Sequence, residues 1–361
     1  MKLIIYEDEG YKNFLPLAWT RPVYDLRCGI DTLAQKMLRQ YPKAVAAYGC
    51  RYYLPGEKLM KFERGLFING RVLAGSRLAR EIPLKGKDEI FFSGEEIVAV
   101  RAVSKPFAEV KKRARTKRVN VQLVKYPWDL IVENSGQILA DSRYHRNKKQ
   151  GKAHKSAVFY NHKDIIIAAG AEVEAHAVLD ARQGPIYIGP GTIVRAGALL
   201  KGPLSIGPGC RIGGEISASI IHGYSNKSHY GFLGHAYIGE WVNLGAGTTN
   251  SNLKNTYGNV KVEIDGKSID SGLRFLGCFI ADHAKTGIGT LITTGAAIGV
   301  GANIFGGGVT PKVVPCFSWG QKGRYELSKM LASAALIMER RSKKLDEQQK
   351  EMLAKIYQFT K

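Results

Sequence analysis

The middle of the chain reads Ile188-GPGTI-Val194-RAGAL-Leu200-KGPLS-Ile206-GPGCR-Ile212-GGEIS-Ala218. An aliphatic or small apolar residue recurs at every sixth position, and Gly follows at 189, 207 and 213. Neither a helix of 3.6 residues per turn nor a strand of period two gives that spacing. The pattern extends backwards through Leu179, Val173 and Ile167. It returns at Phe232, Ile238 and Leu244, and again at Ile280, Thr286, Ile292, Ile298 and Ile304. A six-residue period over such a length predicts a parallel β-helix. Each hexad supplies one short strand and one tight corner. The aliphatic residue points into the prism, and Gly, Asn or a small residue tolerates the corner dihedrals. Three hexads make a triangular coil, and coils stack at about 4.8 Å.

Upstream of the repeat, KLIIY (2–6), AVAAYG (44–49), GLFINGR (65–71) and EEIVAVRAV (95–103) read as strands. Helices are expected over Ile30–Gln40, over 106–117, and after the strand that opens at Val119. Strands alternating with helices imply an α/β domain with a mainly parallel sheet. The domain is expected over 1–142, a basic linker over 143–155 and the β-helix over 156–320. Two stretches, 213–231 and 249–277, break the period, and loops that interrupt a rigid repeat are where function concentrates. Beyond 320, Leu327, Leu331, Ala334, Met338 and Leu345 recur at helical spacing, and 346–359 form a second amphipathic helix. A helical cap over the last coil is the expectation for 321–361.

Lys and Arg number 53 against 31 Asp and Glu, a net charge of +22. Two clusters carry much of it: KKRARTKR (111–118) and RYHRNKKQGKAHK (143–155). Neither has interleaved stacking aromatics or a nucleic-acid module, so a solvated helix face and a solvated linker are favoured over nucleic-acid binding. A positive surface also attracts polyanionic metabolites such as sugar phosphates and coenzyme A. The five Cys are scattered without CxxC spacing, which argues for reduced thiols in the cytoplasm and against a zinc ribbon. No run approaches a membrane span, and the start lacks a secretory apolar segment, so a cytoplasmic protein with no membrane partner and no resident metal is expected.

The densest polar cluster runs from 222 to 261 and holds His222, Asn226, Lys227, His229, His235, Asn243, Asn250, Asn252, Lys254 and Lys261. Acyl transfer to an amine needs a base of near-neutral pKa, which His supplies. It needs donors for a tetrahedral oxyanion, which backbone N–H groups at tight corners supply. A sugar phosphate needs Asn for hydroxyls and Lys or Arg for phosphate. A lone His in a repeat is more often structural; several His, Asn and Lys beside two loops shift the balance towards function. His229, His235 and His283 also admit a zinc-bound carbonic anhydrase reading, which leaves the GAGT and SNK strings unexplained.

The string SHYGFLGHAYIGEWVNLGAGTTNSN (228–252) resembles the acetyltransferase half of the bacterial bifunctional N-acetylglucosamine-1-phosphate uridyltransferase/glucosamine-1-phosphate acetyltransferase family. Its pattern is GH-x-x-Y-LGD-x-x-IG-x-x-VN-IGAGT-x-x-x-N, on a left-handed β-helix. The resemblance implies that His229 is the catalytic base and that Asn243 and Asn252 hold the amino sugar. It places Gly245, Ala246 and Gly247 on a corner facing the acetyl-CoA thioester. Phe232 stands where the family has Tyr, and His235 where it has Asp. The family's phosphate-binding lysine has no clear counterpart; Arg211, Lys227 or Lys261 could substitute, and Asn226 lies beside them. A homotrimer with sites between neighbouring prisms is implied, as is a place in UDP-N-acetylglucosamine biosynthesis.

The N-terminal third is similar to a shortened nucleotidyltransferase domain, through LPLAWTRPVYDLRCGIDTL (15–33) and YPWDLI (126–131). EDEGYKNF occupies the place of the family's Gly-rich loop, Val23 that of its RPK lysine, and Arg71 that of its metal-binding Asp. Arg21 and Arg27 are the candidates for holding a nucleotide phosphate, with salt bridges within the domain as the equal alternative. Mg2+ and UTP are expected only if this half is active. A nucleotidyltransferase with the β-helix as scaffold, and a non-catalytic sugar-nucleotide-binding protein, are the alternatives to acetyl transfer.

Overall fold

A computed structural model describes residues 1–55, 64–145, 150–320 and 323–360. Part of the basic linker, 146–149, lies outside the described residues. The chain forms two compact units.

The first unit comprises Met1–Phe14, Arg21–Leu26 and Asp31–Tyr126. Its six-stranded sheet runs Val45–Gly49, Lys2–Tyr6, Gly65–Asn69, Glu96–Ala102, Glu89–Ser93, Arg115–Arg118. The first three strands pair in parallel, as do the last two; Glu96–Ala102 is antiparallel to both its neighbours, so the sheet is mixed. Helix α1 (Leu33–Gln40) starts three residues later than expected, because Thr32 caps it. The Thr32 hydroxyl accepts from the Gln35 N–H and the Gln35 side chain accepts from the Thr32 N–H. Helix α2 is Leu78–Glu81. Helix α3 (Phe107–Arg113) is shorter than its pattern, since Arg115–Arg118 leaves it to become an edge strand. All four of those side chains are exposed, and charge on an exposed edge prevents unwanted pairing. The strand expected from Val119 is reduced to an isolated bridge between Leu123 and Val72.

The second unit comprises Leu15–Thr20, Arg27–Ile30 and Pro127–Lys361. It is a parallel β-helix of three flat faces. On the first, Lys152, Glu172, Ile193, Arg211, Asn226, Asn243, Lys285, Asn303 and Trp319 follow one another in register. On the second, Val158, Val178, Leu199, Glu215 and Phe232 do so, and Thr249 pairs with Leu291. On the third the line is Ile167, Ile188, Ile206, Ile221, Ile238, Ile280, Ile298 and Val314. Most of these third-face residues join Val194, Leu200 and Ile212 in one buried core.

The six-residue phase steps by three between Leu179 and Ile188, where Ile167 and its partner Ile188 lie 21 residues apart, and slips in two further places beyond Ile212. Ala218 sits at a corner with φ 45°, and Ile216 turns inward instead. Phe232 faces outward and Leu233 inward. Coil length is the cause: fifteen residues rather than eighteen separate Ile206 from its partner Ile221. The stretch 213–231 is therefore a run of shortened coils and not an inserted loop. Within 249–277, residues 253–276 are an insertion, and it carries an antiparallel hairpin, Lys261–Ile264 with Lys267–Asp270.

Helix α4 (Pro127–His145) covers the third face, where Tyr187, Ser205, Ile220, Tyr237 and Phe279 point outward yet are buried. Trp128 meets Phe279 at 6.4 Å and His145 meets Tyr187 at 6.1 Å between ring centres. Buried Asn134 and Asp141 accept from the N–H groups of Gly29 and Ile30. Among the described residues no helix is long and apolar enough to cross a membrane.

Helices α5 (Leu327–Glu339) and α6 (Glu347–Phe359) do more than close the last coil. Met330 lies against Gly301, and Tyr357 packs edge-on to Phe317 at 4.9 Å. Arg341, just beyond α5, donates to Gly209 O at 3.1 Å. Gly209, Tyr224, Trp241, His283 and Gly301 occupy one corner of successive coils. Four coil spacings of about 4.8 Å equal the ~20 Å length of a thirteen-residue helix. Helix α5 is a strut along that corner.

Replacing Ile206 with Asp is expected to unfold or aggregate the protein. The site is fully buried among aliphatic neighbours, and an unpaired buried carboxylate costs several kcal/mol or more. A soluble variant with an unchanged melting temperature would contradict the inward assignment.

Candidate active site

In two of the three inward columns of the β-helix, polar residues replace aliphatic ones on the coils around the 253–276 insertion. Lys227 follows Ile212, Asn250 lies in the register of Ile292, and Thr286 follows Leu244. All three are buried. Lys227 was expected to meet substrate, but its amine turns inward. It donates to His229 O at 2.6 Å and to Gly213 O at 3.2 Å. Burial pushes its pKa down to about 8. A Cβ on Gly214 would lie 2.7 Å from His229 O and 2.8 Å from the Lys227 amine, so only glycine fits there. The lysine pins the turn 228–231 from within, while the His229 side chain stands exposed on its outside.

That turn is bonded to the next coil. Gly247 N–H donates to Tyr230 O at 3.1 Å. The register Asn226–Asn243 carries forward three residues to place Ala246 beside His229 on adjacent corners. The N–H of Gly245 donates to Thr286 O at 3.0 Å and Gly289 N–H donates to Ala246 O at 2.7 Å. Both neighbours of Ala246 thus have their N–H groups engaged. The Ala246 N–H has no acceptor among the described residues.

On the first face, the outward side chains of Arg211, Asn226, Asn243 and Lys285 lie in line. Asn226 Nδ2 donates to Asn243 Oδ1 at 3.2 Å. Burial pushes the Lys285 amine down to about 8, and it donates to His283 O at 3.2 Å. Around the corner, Phe232 lies half-buried on the second face. Asn252 Nδ2 sits 2.9 Å from His235 Nδ1, and Phe275 stacks on that ring at 5.6 Å. Burial lowers the His235 pKa, which favours a neutral ring that accepts from Asn252. Lys261 lies apart from this group, on the exposed hairpin, where its carbonyl accepts from the Lys312 amine at 3.2 Å. Among the described residues no three His, Cys, Asp or Glu side chains cluster as metal ligands.

Following the Ala246 corner along the prism, Ile288 and Phe305 are exposed apolar residues. Beside them opens a cleft of about 380 Å³ lined by Thr290, Phe305, Gly307, Gly308, Val309 and Pro315. Sequence reading missed this edge; three consecutive glycines at 306–308, all with positive φ, were its signal.

The nucleotide candidates sit elsewhere. Arg27 belongs with the β-helix unit, where its Nε donates to His222 O at 3.3 Å, its Nη1 to Ile30 O and its N–H to the Tyr237 hydroxyl at 2.8 Å. In the first unit, ligands of open α/β sheets bind beyond the carboxyl ends of parallel strands. Here Glu7, Asp8, Arg51 and Arg71 follow those ends and neutralise one another. Arg71 is buried and bonds Asp8 through two nitrogens at 2.9 and 2.7 Å, and Glu96 at 2.8 Å. Burial raises the Asp8 pKa, but hydrogen bonds and charge from Arg71 together outweigh that and leave it below the ordinary value. Arg51 holds Glu7 at 2.7 Å and donates to Arg21 O at 3.0 Å.

Residues 3–150 match the sugar nucleotidyl transferase family. A bifunctional sugar-1-phosphate nucleotidylyltransferase/acetyltransferase of Sulfurisphaera tokodaii is 38% identical over 126 residues, 35% of this chain and 30% of that one. The bifunctional GlmU protein of Gloeobacter violaceus is 29% identical over 156 residues, 42% of this chain and 29% of its own. The chain thus spans about 30% of the length of these relatives. Among solved structures, a hexapeptide transferase family protein from Anaplasma phagocytophilum matches 58% of this chain and 92% of its own, at 11% identity and TM-score 0.20. A mutant perosamine N-acetyltransferase from Caulobacter crescentus, in complex with CoA and GDP-perosamine, matches 86% and 94% at 12% identity and TM-score 0.19. Scores this low carry no functional argument.

Burying Lys227 should make stability depend on pH with a defined sign. Its folded pKa, about 8, lies below the unfolded value of about 10.4. Between these two the unfolded chain holds a proton that the folded chain does not, so stability rises with pH. Relative to Lys227→Met, the wild type should gain about 3 kcal/mol between pH 7.5 and 10.5. Urea unfolding of both proteins across that range measures it, and a constant difference would show that the amine is not desolvated.

Proposed function

We propose, starting from the sugar nucleotidyl transferase family membership of residues 3–150 and the relation of the chain to bifunctional nucleotidyltransferase/acetyltransferases, that the β-helix moves an acetyl group from acetyl-CoA to the amine of an amino-sugar phosphate. The observation that carries the reading is the corner pair. An exposed His and an unengaged backbone N–H stand on adjacent coils, tied by the bond from Gly247 to Tyr230 O. The amine attacks the thioester carbonyl, and His229 takes the proton that the amine loses. The Ala246 N–H stabilises the oxyanion. The tetrahedral intermediate then expels the thiolate, which the protonated His229 neutralises. Gly245 and Gly247 contribute shape rather than donors, since their N–H groups are spent within the fold.

Asn243 and Asn252 position the sugar, with Asn226 and Phe232 bordering it. The exposed apolar edge at Ile288 and Phe305 suits the pantetheine arm of the cosubstrate. A trimer, with neighbouring prisms facing this edge, accounts for its exposure. The N-terminal unit binds a sugar nucleotide or its fragment and transfers little. Triphosphate attack needs a cation clamp and a phosphate cradle, and the charged side chains at the strand ends hold each other. With UTP, a sugar 1-phosphate and Mg2+, pyrophosphate release should stay at background; robust turnover would mean that the Arg71 and Arg51 pairs open on binding.

His229→Ala should lower kcat for acetyl transfer by about 10²–10⁴-fold while acetyl-CoA binding is kept. His235→Ala is the internal control and should matter less, because that ring is engaged with Asn252 and Phe275. A steady-state assay with acetyl-CoA and amino-sugar 1-phosphates decides. Loss in His235→Ala alone would reverse the roles, and no loss in either would remove the site from this corner.

A further inference from the structure

Two guanidinium groups meet on the first face without an acidic partner. Arg211 is on the β-helix strand that precedes Asn226 in register. Its Nη1 donates to Gly191 O at 3.0 Å, Cys210 O at 2.9 Å and, more weakly, Gly209 O at 3.4 Å. Arg341 arrives from the turn between α5 and α6. Its Nε donates to the same Gly209 O at 3.1 Å and its Nη2 to Asn226 Oδ1 at 2.8 Å. Both cations therefore lean on one carbonyl oxygen. Lys343 adds a third charge nearby, 5.9 Å from the ring of Tyr224, which itself packs over Gly209. Among the described residues neither Arg211 nor Arg341 has a carboxylate within salt-bridge distance. The nearest comparison is Arg195, which is neutralised by Glu174 at 3.0 Å.

Like charges held together and partly desolvated repel, and folding offers no reason to gather them. Burial lowers the Arg341 pKa first, and the Arg211 charge lowers it further. An arginine used only as a strut would be served as well by one cation, or by a carboxylate opposite it. Carbonyls hold Nη1 of Arg211 and leave its Nε and Nη2 facing outward, whereas Arg341 donates from Nε, from Nη2 and, to Arg340 O at 3.3 Å, from Nη1, and keeps one further N–H on each terminal nitrogen for a ligand. Planar forks of this kind match phosphate oxygens. The position suits the acceptor, because Asn226 stands three residues before His229 and bonds Asn243 on the next coil.

We propose that Arg211 and Arg341, with Lys343 at the rim, form the seat of a phosphate monoester, and that the turn after α5 thereby completes the acceptor site. The identification of that phosphate with the amino-sugar phosphate rests on the acetyl-transfer reading above; the seat itself does not. The strut geometry of α5 gives the turn a fixed place, so the ligand is met by a rigid pair. Phosphates of coenzyme A are the other source of the same chemistry.

Calorimetric titration of the full chain tests this without any reaction. Inorganic phosphate and glucosamine 1-phosphate should bind, free glucosamine should not, and Arg341→Gln should weaken both anions at least about tenfold. The amide keeps a donor for Asn226, and a melting curve within a few degrees of wild type certifies the fold. Arg211→Lys and Lys343→Gln provide a second and third reading, the latter on an exposed side chain. If the variants weaken CoA but not dephospho-CoA or the sugar phosphate, the seat belongs to the cosubstrate, and its assignment to the acceptor is overturned. Unchanged phosphate affinity in all three folded variants overturns the seat. Arginine-dependent phosphate binding in a protein that transfers no acetyl group leaves the seat standing and removes the acetyl-transfer reading instead.

Discussion

The hydrogen bonds between one coil and the next set everything in the β-helix half. Parallel pairing fixes which residue lies above which, so a column of side chains on any face is a direct consequence of coil length. Where a coil is shortened, as between Ile206 and Ile221, every following column moves by the same amount. The corner that holds His229 and Ala246 together exists because Asn226 and Asn243 pair in register. Corner geometry of this kind is carried by backbone bonds, each worth about 1 kcal/mol net but cooperative along the prism. Side-chain mutations on the face can alter affinity without moving the corner.

The interior answers the same constraint. An aliphatic column costs nothing to bury, and the protein departs from it at Lys227, Asn250 and Thr286. Each departure serves a backbone group that a corner leaves unsatisfied. Asn250 brackets Gly234, accepting its N–H at 2.8 Å and donating to its carbonyl at 3.0 Å. Lys227 donates to the carbonyls of His229 and Gly213 and so holds the turn of His229, at the cost of desolvating an amine. A buried polar group is tolerable only when its partners are present. These three therefore mark the coils whose corners depart from the repeat, and the proposed site lies on those coils.

Much of this was legible in the sequence. The six-residue period gave the β-helix and its core, because inward aliphatic residues are a condition for the prism to close. His229, Asn243 and the corner 245–247 were singled out through the family resemblance of 228–252, and parallel pairing sets His229 and Ala246 on adjacent coils. The inward turn of Lys227 was not, since a lysine at a hexad position reads equally as a charge beside the site; pairing with Ile212 settled it. Ala218 and Phe232 kept the period on paper but not in the fold, because coil length and strand register decide orientation. Arg71 was legible only as a departure from Asp. That it would pair with Asp8 and Glu96 depended on contacts between residues far apart in the chain.

Helix α5 shows how a sequence of ordinary helical pattern acquires a structural length requirement. Its buried stripe is Met330, Ala334 and Met338, one residue per turn. That stripe follows a corner occupied by Tyr224, Trp241 and His283, whose rings stack at 4.6 and 6.5 Å between centres. The stack presents a flat apolar edge that a narrow helix can cover. Small Ala334 in the middle of the stripe lets the helix approach closely. A helix one turn shorter would leave Arg341 about 5.4 Å short of Gly209, and one turn longer would carry it past Asn226. The number of coils between the start of the strut and the site is thus matched to the number of turns in α5. An insertion in either would separate the C-terminal turn from the face on which Arg211 and Asn226 stand.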